Sequence, residues 1–195
     1  MKLVFATHNQ NKVREVQQLL PDGIQLISLN DLGINEAIPE TAKTLEGNAK
    51  LKADFVYHKY KVPCFADDTG LLVNALNGEP GVYSARYAGE ENDSNANMNK
   101  LLGNLKDKED RSAYFKTVIA LNLSEETIFF EGKVQGRITS SKKGTKGFGY
   151  DPIFRPNGYK ETFAELPLDI KNEIGHRGKA FSELITYLKN NHVTG

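Results

Sequence analysis

Val62-Pro63-Cys64-Phe65-Ala66-Asp67-Asp68-Thr69-Gly70 is an apolar run that ends in two adjacent carboxylates, a hydroxyl and a glycine. Val62 to Ala66 reads as a short buried strand, and Thr69-Gly70 as the turn that closes it. Strand ends at a sheet rim are where α/β proteins place reactive groups. Two carboxylates crowded there repel, and a divalent cation such as Mg²⁺, which takes oxygen ligands, would offset them. Asp, Thr and Gly are also ordinary turn residues. Taken alone, the stretch reads first as a surface turn, so its neighbours have to decide.

Before it, Leu3 to Ala6 reads as a buried strand, Lys12 to Leu20 as a helix, and Ile24 to Leu29 as a second strand. Val13, Val16, Leu19 and Leu20 give that helix one apolar face. Asn9 or Asn11 caps it, and Pro21-Asp22-Gly23 stops it. This is a βαβ unit with the loop Thr7–Lys12 at the carboxyl end of the first strand. Gly33 to Lys43 is irregular and acidic. Thr44 or an earlier residue caps a second helix, running to about Tyr60 with Lys52 near its middle.

After the stretch, Leu71 to Leu76 reads as extended, Asn77-Gly78 as a turn and Pro80 to Gly89 as a loop. Asp93 to Leu105 reads as a helix. Two long strands, Ala113 to Leu123 and Thr127 to Ile138, join in a hairpin at Ser124-Glu125-Glu126. A Gly/Lys-rich loop, Thr139 to Tyr150, leads to a short extended piece at Ile153-Phe154. A short helix over Thr162 to Leu166 and a last helix over Lys179 to Lys189 complete the pattern. It predicts an α/β fold with a mixed sheet, helices on its faces and a cleft along one rim.

The length, 195 residues, suits one domain or one domain with two lobes. Lys+Arg and Asp+Glu are both 25, so no general basic field exists for holding nucleic acid, and a nucleotide needs a local site. Cys64 is the only cysteine, which rules out a disulfide within the chain and fits a reducing compartment. Its place in the apolar run makes it a core residue before a nucleophile. No stretch is apolar for long enough to span a membrane, and a cytoplasmic protein is expected.

Three further constellations carry chemistry. Thr7-His8-Asn9-Gln10-Asn11-Lys12 sits where a strand end opens a helix, a place with free N–H groups and the positive helix-dipole end. The same residues read equally as a helix cap with a solvated lysine. Lys142-Lys143-Gly144-Thr145-Lys146-Gly147-Phe148-Gly149-Tyr150-Asp151-Pro152 fails both the P-loop and the dinucleotide spacings. What remains is an aromatic ring, Phe148, between two glycines, able to lie against a base or to tuck into the core. Gly175-His176-Arg177-Gly178 gathers donors suited to a phosphate or a base carbonyl, with Lys171 nearby; it also reads as a turn leading into a helix. His58 and His192 give no metal-ligand spacing.

Together and in order, these pieces resemble the inosine triphosphate pyrophosphatase family. The matching pieces are Thr7-x-Asn9-x-x-Lys12, Asn48-Ala49 with Lys52, Ala66-Asp67-Asp68-Thr69-Gly70, Pro80 to Tyr87, Gly147 to Pro152, and His176-Arg177-Gly178. The resemblance covers nearly the whole chain, 1–195, as a single catalytic domain. It implies an elongated mixed β-sheet flanked by helices, two lobes with a central substrate cleft, and a homodimer. It implies Mg²⁺-dependent hydrolysis of non-standard purine nucleoside triphosphates (ITP, dITP, XTP) to the monophosphate and pyrophosphate. Such hydrolysis clears them from the nucleotide pool. It makes Asp68 the general base and a metal carboxylate. Thr69 would touch the substrate. Thr7, His8, Asn9, Gln10, Asn11, Lys12 and Lys52 would hold the triphosphate. Phe148, Gly149, Tyr150, Asp151, Lys171, His176 and Arg177 would surround the base and sugar.

Two positions depart from the family. His8 stands where Gly is frequent, and Gly47 where many members have Glu. Glu40 or Glu46 would then supply the second metal carboxylate, and Glu40 is preferred, with Asp67 a further alternative.

Overall fold

The computed structural model describes residues 2–20, 23–124 and 126–191. Pro21-Asp22 of the expected helix stop, Glu125 of the expected hairpin and His192 lie outside them. Strand β1 (Lys2–Phe5), helix α1 (Gln10–Gln17) and strand β2 (Gln25–Ser28) form the expected βαβ unit, with β1 and β2 parallel. Asn9 is the cap of α1: its side-chain oxygen accepts from the N–H groups of Asn11 and Lys12. Helix α2 (Leu45–Tyr60) starts where Thr44 accepts from Gly47 N–H. It ends at Lys61, which is left-handed with φ 55° just ahead of Val62-Pro63.

The first correction concerns the opening stretch. Strand β3 runs Cys64–Val73, through both aspartates and through Thr69-Gly70, with no turn there. Its first part pairs parallel with β1 (Phe5 opposite Phe65); its last part pairs antiparallel with the two-residue strand β4, Pro80–Gly81 (Leu71 opposite Gly81). Pairing at both ends overrides the turn preference of Asp, Thr and Gly. Asp67 and Asp68 therefore lie just past the carboxyl end of β1, within their own strand. Because side chains alternate along a strand, the two carboxylates point to opposite faces and are not crowded together.

Helix α3 (Ser94–Asn104) is capped by Asp93. Strands β5 (Ser112–Asn122), β6 (Thr127–Ile138) and β7 (Phe154–Pro156) follow. The mixed sheet has the order β2-β1-β3-β5-β6-β7, with β4 on β3. The extended reading of Leu71 to Leu76 holds only to Val73; Asn74–Leu76 is a 3₁₀ turn. No helix covers Thr162 to Leu166. Thr162 and Glu165 bond reciprocally there, Thr162 N–H to the Glu165 carboxylate and Glu165 N–H to Thr162 C=O, but Pro167 ends the turn. The helix forms on the far side of that proline as α4, Leu168–Ile174. Helix α5 (His176–Asn190) begins at His176, three residues earlier than expected, so His176-Arg177-Gly178 is its first turn.

The chain divides into two compact units, and β3, β5 and β6 contribute to both. The first unit comprises 1–68, 117–132 and 177–195. Val16 of α1 and Ala180, Phe181, Leu184 and Leu188 of α5 form its core with Leu3, Phe5 and Phe65 of the sheet. Phe5 and Phe65 stack with ring centroids 4.5 Å apart. In the second unit, 69–116 and 133–176, Met98 and Leu101 of α3 pack with Phe115, Ile138, Phe154 and Phe163. Cys64 is fully buried with its Sγ 3.2 Å from Ala53 C=O, and burial pushes its thiol up to about 12. It is a core residue and no nucleophile. No helix among the described residues is long and apolar enough to cross a membrane.

Candidate active site

In the first unit, the Asp67 carboxylate receives the Lys12 ammonium at 2.8 Å. Arg177 Nε lies 3.8 Å from the other oxygen of Asp67, while Arg177 Nη1 bonds to the Glu15 carboxylate. Asp68, on the opposite face of β3, meets Lys52 Nζ at 3.7 Å; the same ammonium lies 2.5 Å from Glu40. Asp67 and Asp68 are 1% and 8% exposed, so both burial and these pairings act on their carboxyl groups.

The two neighbours titrate in opposite directions. Burial pushes the Asp68 carboxyl up from its ordinary value; Lys52 and Lys12 pull it back, Glu40 and Asp67 push it further, and the rise wins. Burial acts on Asp67 the same way, but Lys12, Arg177 and Lys52 outweigh it and hold Asp67 below the usual carboxylate range. Lys52 is raised despite burial, because Asp68, Glu40 and Asp67 surround it. Lys12 is lowered by burial, which Asp67 opposes without reversing. The two neighbouring carboxylates thus lie in environments that push them in opposite directions.

Glu40 arrives here through α2. Asn48 and Lys52, four residues apart, share a helix face. Asn48 accepts from Ala42 N–H at 2.9 Å, and Lys52 takes Glu40. The chain at Ala42 lies so close that a Cβ on Gly47 would stand 2.6 Å from Ala42 Cβ. Gly47 is therefore where the backbone bearing Glu40 approaches the helix. Glu46, the alternative, is half-buried in the first turn of α2.

The loop after β1 is more self-contained than expected. Asn9 caps α1, and Thr7 Oγ1 accepts from Asn9 N–H at 3.1 Å. Gln10 and Asn11 are exposed on the first turn. The His8 ring lies against Asn30 and the Glu36 carbonyl.

In the second unit, Asp151 and Lys171 are 3% and 6% exposed and pair at 2.7 Å. The same oxygen of Asp151 accepts from Phe148 N–H at 2.9 Å. Gly147 and Gly149 have φ of 72° and 64°, and a Cβ on Gly147 would strike that carboxylate at 2.0 Å. The half-buried Phe148 ring has Lys171 Nζ 5.1 Å from its centroid, a cation–π contact. Tyr150 is buried, and its hydroxyl donates to Ser84 C=O at 2.7 Å. His176 stacks on Phe115 at 4.6 Å. Thr69, half-buried, follows Asp68 along β3.

The structure thus groups Lys12, Lys52, Glu40, Asp67, Asp68 and Arg177 in the first unit, and Phe148, Gly149, Asp151 and Lys171 in the second. Arg177 was expected at the base; its guanidinium goes to Glu15 and Asp67, because two buried carboxylates there require a cation. Glu15 was missed. Its burial beside Val16 on α1 is visible only in the structure.

Among the described residues, no three His, Cys, Asp or Glu side chains group as a metal site. The chain offers a pair of carboxylates, Asp68 and Glu40, facing one ammonium. That donor set fits Mg²⁺, which binds through one or two carboxylates and completes its shell with substrate phosphates and water.

Comparison with known proteins agrees with this geometry. The Ham1 family pattern matches residues 3–187. A dITP/XTP pyrophosphatase of Flavobacterium johnsoniae is 61% identical over 188 residues, covering 96% of this chain and 98% of that protein. One from Porphyromonas gingivalis is 50% identical, covering 96% and 97%. The structure of the Staphylococcus aureus Ham1 protein superposes with a TM-score of 0.89 at 40% identity, covering 98% of this chain and all of that one (100%). The fold, the register of the motifs and these full-length matches converge: this chain belongs to the Ham1 family.

Proposed function

We propose that residues 1–195 act as one catalytic domain that hydrolyses dITP, XTP and ITP to the monophosphate and pyrophosphate. The observation that carries this reading is the geometry on β3, where Asp67 is paired with Lys12 at 2.8 Å and Asp68, on the opposite face, shares Lys52 with Glu40. The names of the relatives support the substrate class. In this reading Asp68 orients a water toward the α-phosphorus and accepts its proton. The new bond forms between that water oxygen and the α-phosphorus, and the bond to the pyrophosphate oxygen breaks in line.

Lys12 and Lys52 balance charge on the triphosphate. Thr7, His8, Gln10 and Asn11 present the start of α1 to it. Asn9 already caps two N–H groups, so its side-chain NH₂ is the donor it has left to give. Mg²⁺, held by Asp68 and Glu40 with the phosphates, would add charge neutralisation on the substrate oxygens.

Phe148, Gly149, Tyr150 and Asp151 take the base and sugar, with Lys171 and His176 behind them. Thr69 touches the substrate, and Arg177 serves the site by holding Asp67. Hypoxanthine and xanthine carry a 6-keto acceptor where adenine carries an amino donor; Phe148 N–H is taken by Asp151, so a main-chain donor at Gly149 is the group that rejects adenine. The enzyme works as a homodimer in the cytoplasm, on free nucleotides and with no nucleic acid as partner; the zero net charge supports the last point.

The test is product identity. Purified protein is given dITP, XTP, ATP or GTP with Mg²⁺, and the products are resolved by anion exchange. Monophosphate and pyrophosphate from dITP and XTP, with little from ATP or GTP, are expected. A diphosphate and inorganic phosphate would overturn the reading.

A further inference from the structure

His8 stands in the loop proposed to meet the triphosphate, yet its ring is engaged elsewhere. Nδ1 lies 3.1 Å from Asn30 Oδ1, and Nε2 lies 3.0 Å from the Glu36 carbonyl oxygen. Both ring nitrogens thus face the irregular segment that follows β2. The Glu36 side chain is gripped in turn by the far end of α2, with Lys59 Nζ at 2.6 Å from each carboxylate oxygen and Tyr60 OH at 2.5 Å. Four residues on, Glu40 reaches Lys52 at 2.5 Å, and two residues later Ala42 is fastened to Asn48.

Between those fastenings the segment is poorly packed. Ile38, Pro39 and Thr41 face Leu51 and Phe55 of α2 across an open groove of about 520 Å³. Side chains that do not close on the helix cannot locate the backbone by packing. The place of Glu40 is therefore set by the fastenings at its two ends. On the Asn48 side these are a hydrogen bond and the close approach to Gly47. On the other side, main-chain bonds of Leu32, Gly33 and Ile34 to Ser28, Asn30 and Leu29 fix the turn after β2, and beyond that turn the Glu36 side-chain contacts and the His8 ring at the Glu36 carbonyl hold the chain.

We propose that His8 is a positioning residue, whose ring ties the main chain at Glu36 to the loop after β1 so that Glu40 stays at Lys52 and Asp68. This deepens the proposed function and rests on its assignment of Glu40 as a metal carboxylate. His8 thereby supplies the active site through the loop it holds, while its main chain remains part of the turn at the phosphates. A glycine at this position would keep the turn and lose the anchor.

The test uses the full chain and Mn²⁺ as probe, with binding read from the loss of the free-ion electron paramagnetic resonance signal. Wild type, His8→Ala, Glu40→Gln and the double variant are compared. His8→Ala is expected to bind Mn²⁺ roughly fivefold more weakly, the scale of one or two exposed hydrogen bonds. The double variant should be no weaker than Glu40→Gln alone, because the two substitutions remove the same contribution. His8→Gln, which can still donate to one acceptor, should recover part of the loss. In turnover of dITP, His8→Ala should need more Mg²⁺ for half-maximal rate, with KM for dITP unchanged at saturating Mg²⁺.

Mn²⁺ binding equal to wild type in His8→Ala, or losses that add in the double variant, would overturn the proposal. So would a raised KM at saturating Mg²⁺ with Mn²⁺ binding intact, since the ring would then touch substrate. Wild-type protein that binds Mn²⁺ but leaves dITP intact would sink the proposed function, while the binding series would still decide the role of His8. Wild-type protein that binds no Mn²⁺ would overturn the anchor and the metal assignment together.

Discussion

The Asp151–Lys171 pair of the second unit and the Asp67–Asp68 network of the first are both buried, and both set a carboxylate against a lysine. They differ in what the lysine serves. Lys171 meets Asp151 on the oxygen that also takes Phe148 N–H, so this pair fastens the loop that carries an aromatic ring. Lys52 is shared between Glu40 and Asp68, which leaves Asp68 at 3.7 Å, and burial pushes the Asp68 carboxyl up against that lysine's pull. The first arrangement holds a shape. The second divides one cation between two carboxylates. The comparison teaches that a buried ion pair signals chemistry when a cation is divided among carboxylates and one of them is left with a raised pKa.

Substitutions break this comparison at graded cost. Asp68→Asn should lower kcat for dITP by about a thousandfold, within the range for a lost general base. It should also raise Tm, because a carboxyl that is costly to ionise where it is buried is gone. A fall in Tm with kcat intact would make Asp68 structural, like Asp151.

Asp67→Asn should lower stability where Asp68→Asn raises it. Removing one partner of a buried pair costs about 3 kcal/mol, seen as a lower denaturant midpoint. Asp151→Asn should cost about 3 kcal/mol by the same mechanism, with KM for dITP rising more than kcat falls. If Asp151→Asn instead removed turnover at unchanged KM, the two networks would have the same role.

A smaller effect follows from Gly47→Ala. The new Cβ would meet Ala42 Cβ at 2.6 Å and push the segment bearing Glu40 away from Lys52. About a tenfold higher Mg²⁺ concentration for half-maximal rate is expected, in line with losses from displaced metal-site support. An unchanged Mg²⁺ requirement would remove Glu40 from the metal site.

The smallest effect is in the pH dependence of stability. Asp67 has a lowered pKa, so its contribution is present above the ordinary carboxylate value and is lost as pH falls through the folded value. Asp68 has a raised pKa, so its contribution is present at acid pH and is lost as pH rises through the folded value. Tm measured against pH should show the acid-side loss shrink in Asp67→Asn and the neutral-side loss shrink in Asp68→Asn. Identical profiles for the two variants would mean that their environments do not differ.

Most of the fold was legible because its signals are local. Thr44 announces α2 by capping it, and Lys61-Val62-Pro63 ends it. Asp93 does the same for α3. The misreadings arose where a distant partner overrules a local preference. Asp67-Asp68-Thr69-Gly70 has turn composition, yet β4 pairs with Leu71 and Leu72 and keeps the chain extended. Thr162 to Glu165 has a helix-start pattern, yet Pro167 moves the helix beyond it.

The site divides in the same way. Asp68, Lys52 and Lys12 stand in motifs, and the preference for Glu40 came from a gap at Gly47. Glu15 carried no such mark, because Arg177, its partner, is 162 residues away. The place of the His8 ring depends on where Asn30 and Glu36 fold back, which no spacing within residues 7–12 reveals.

Hydrolysis of dITP in ¹⁸O-labelled water tests the central claim, that a water oriented by Asp68 attacks the α-phosphorus. The account predicts the label in the phosphate of dIMP and none in pyrophosphate. Label in pyrophosphate, or in inorganic phosphate released beside dIDP, would contradict it.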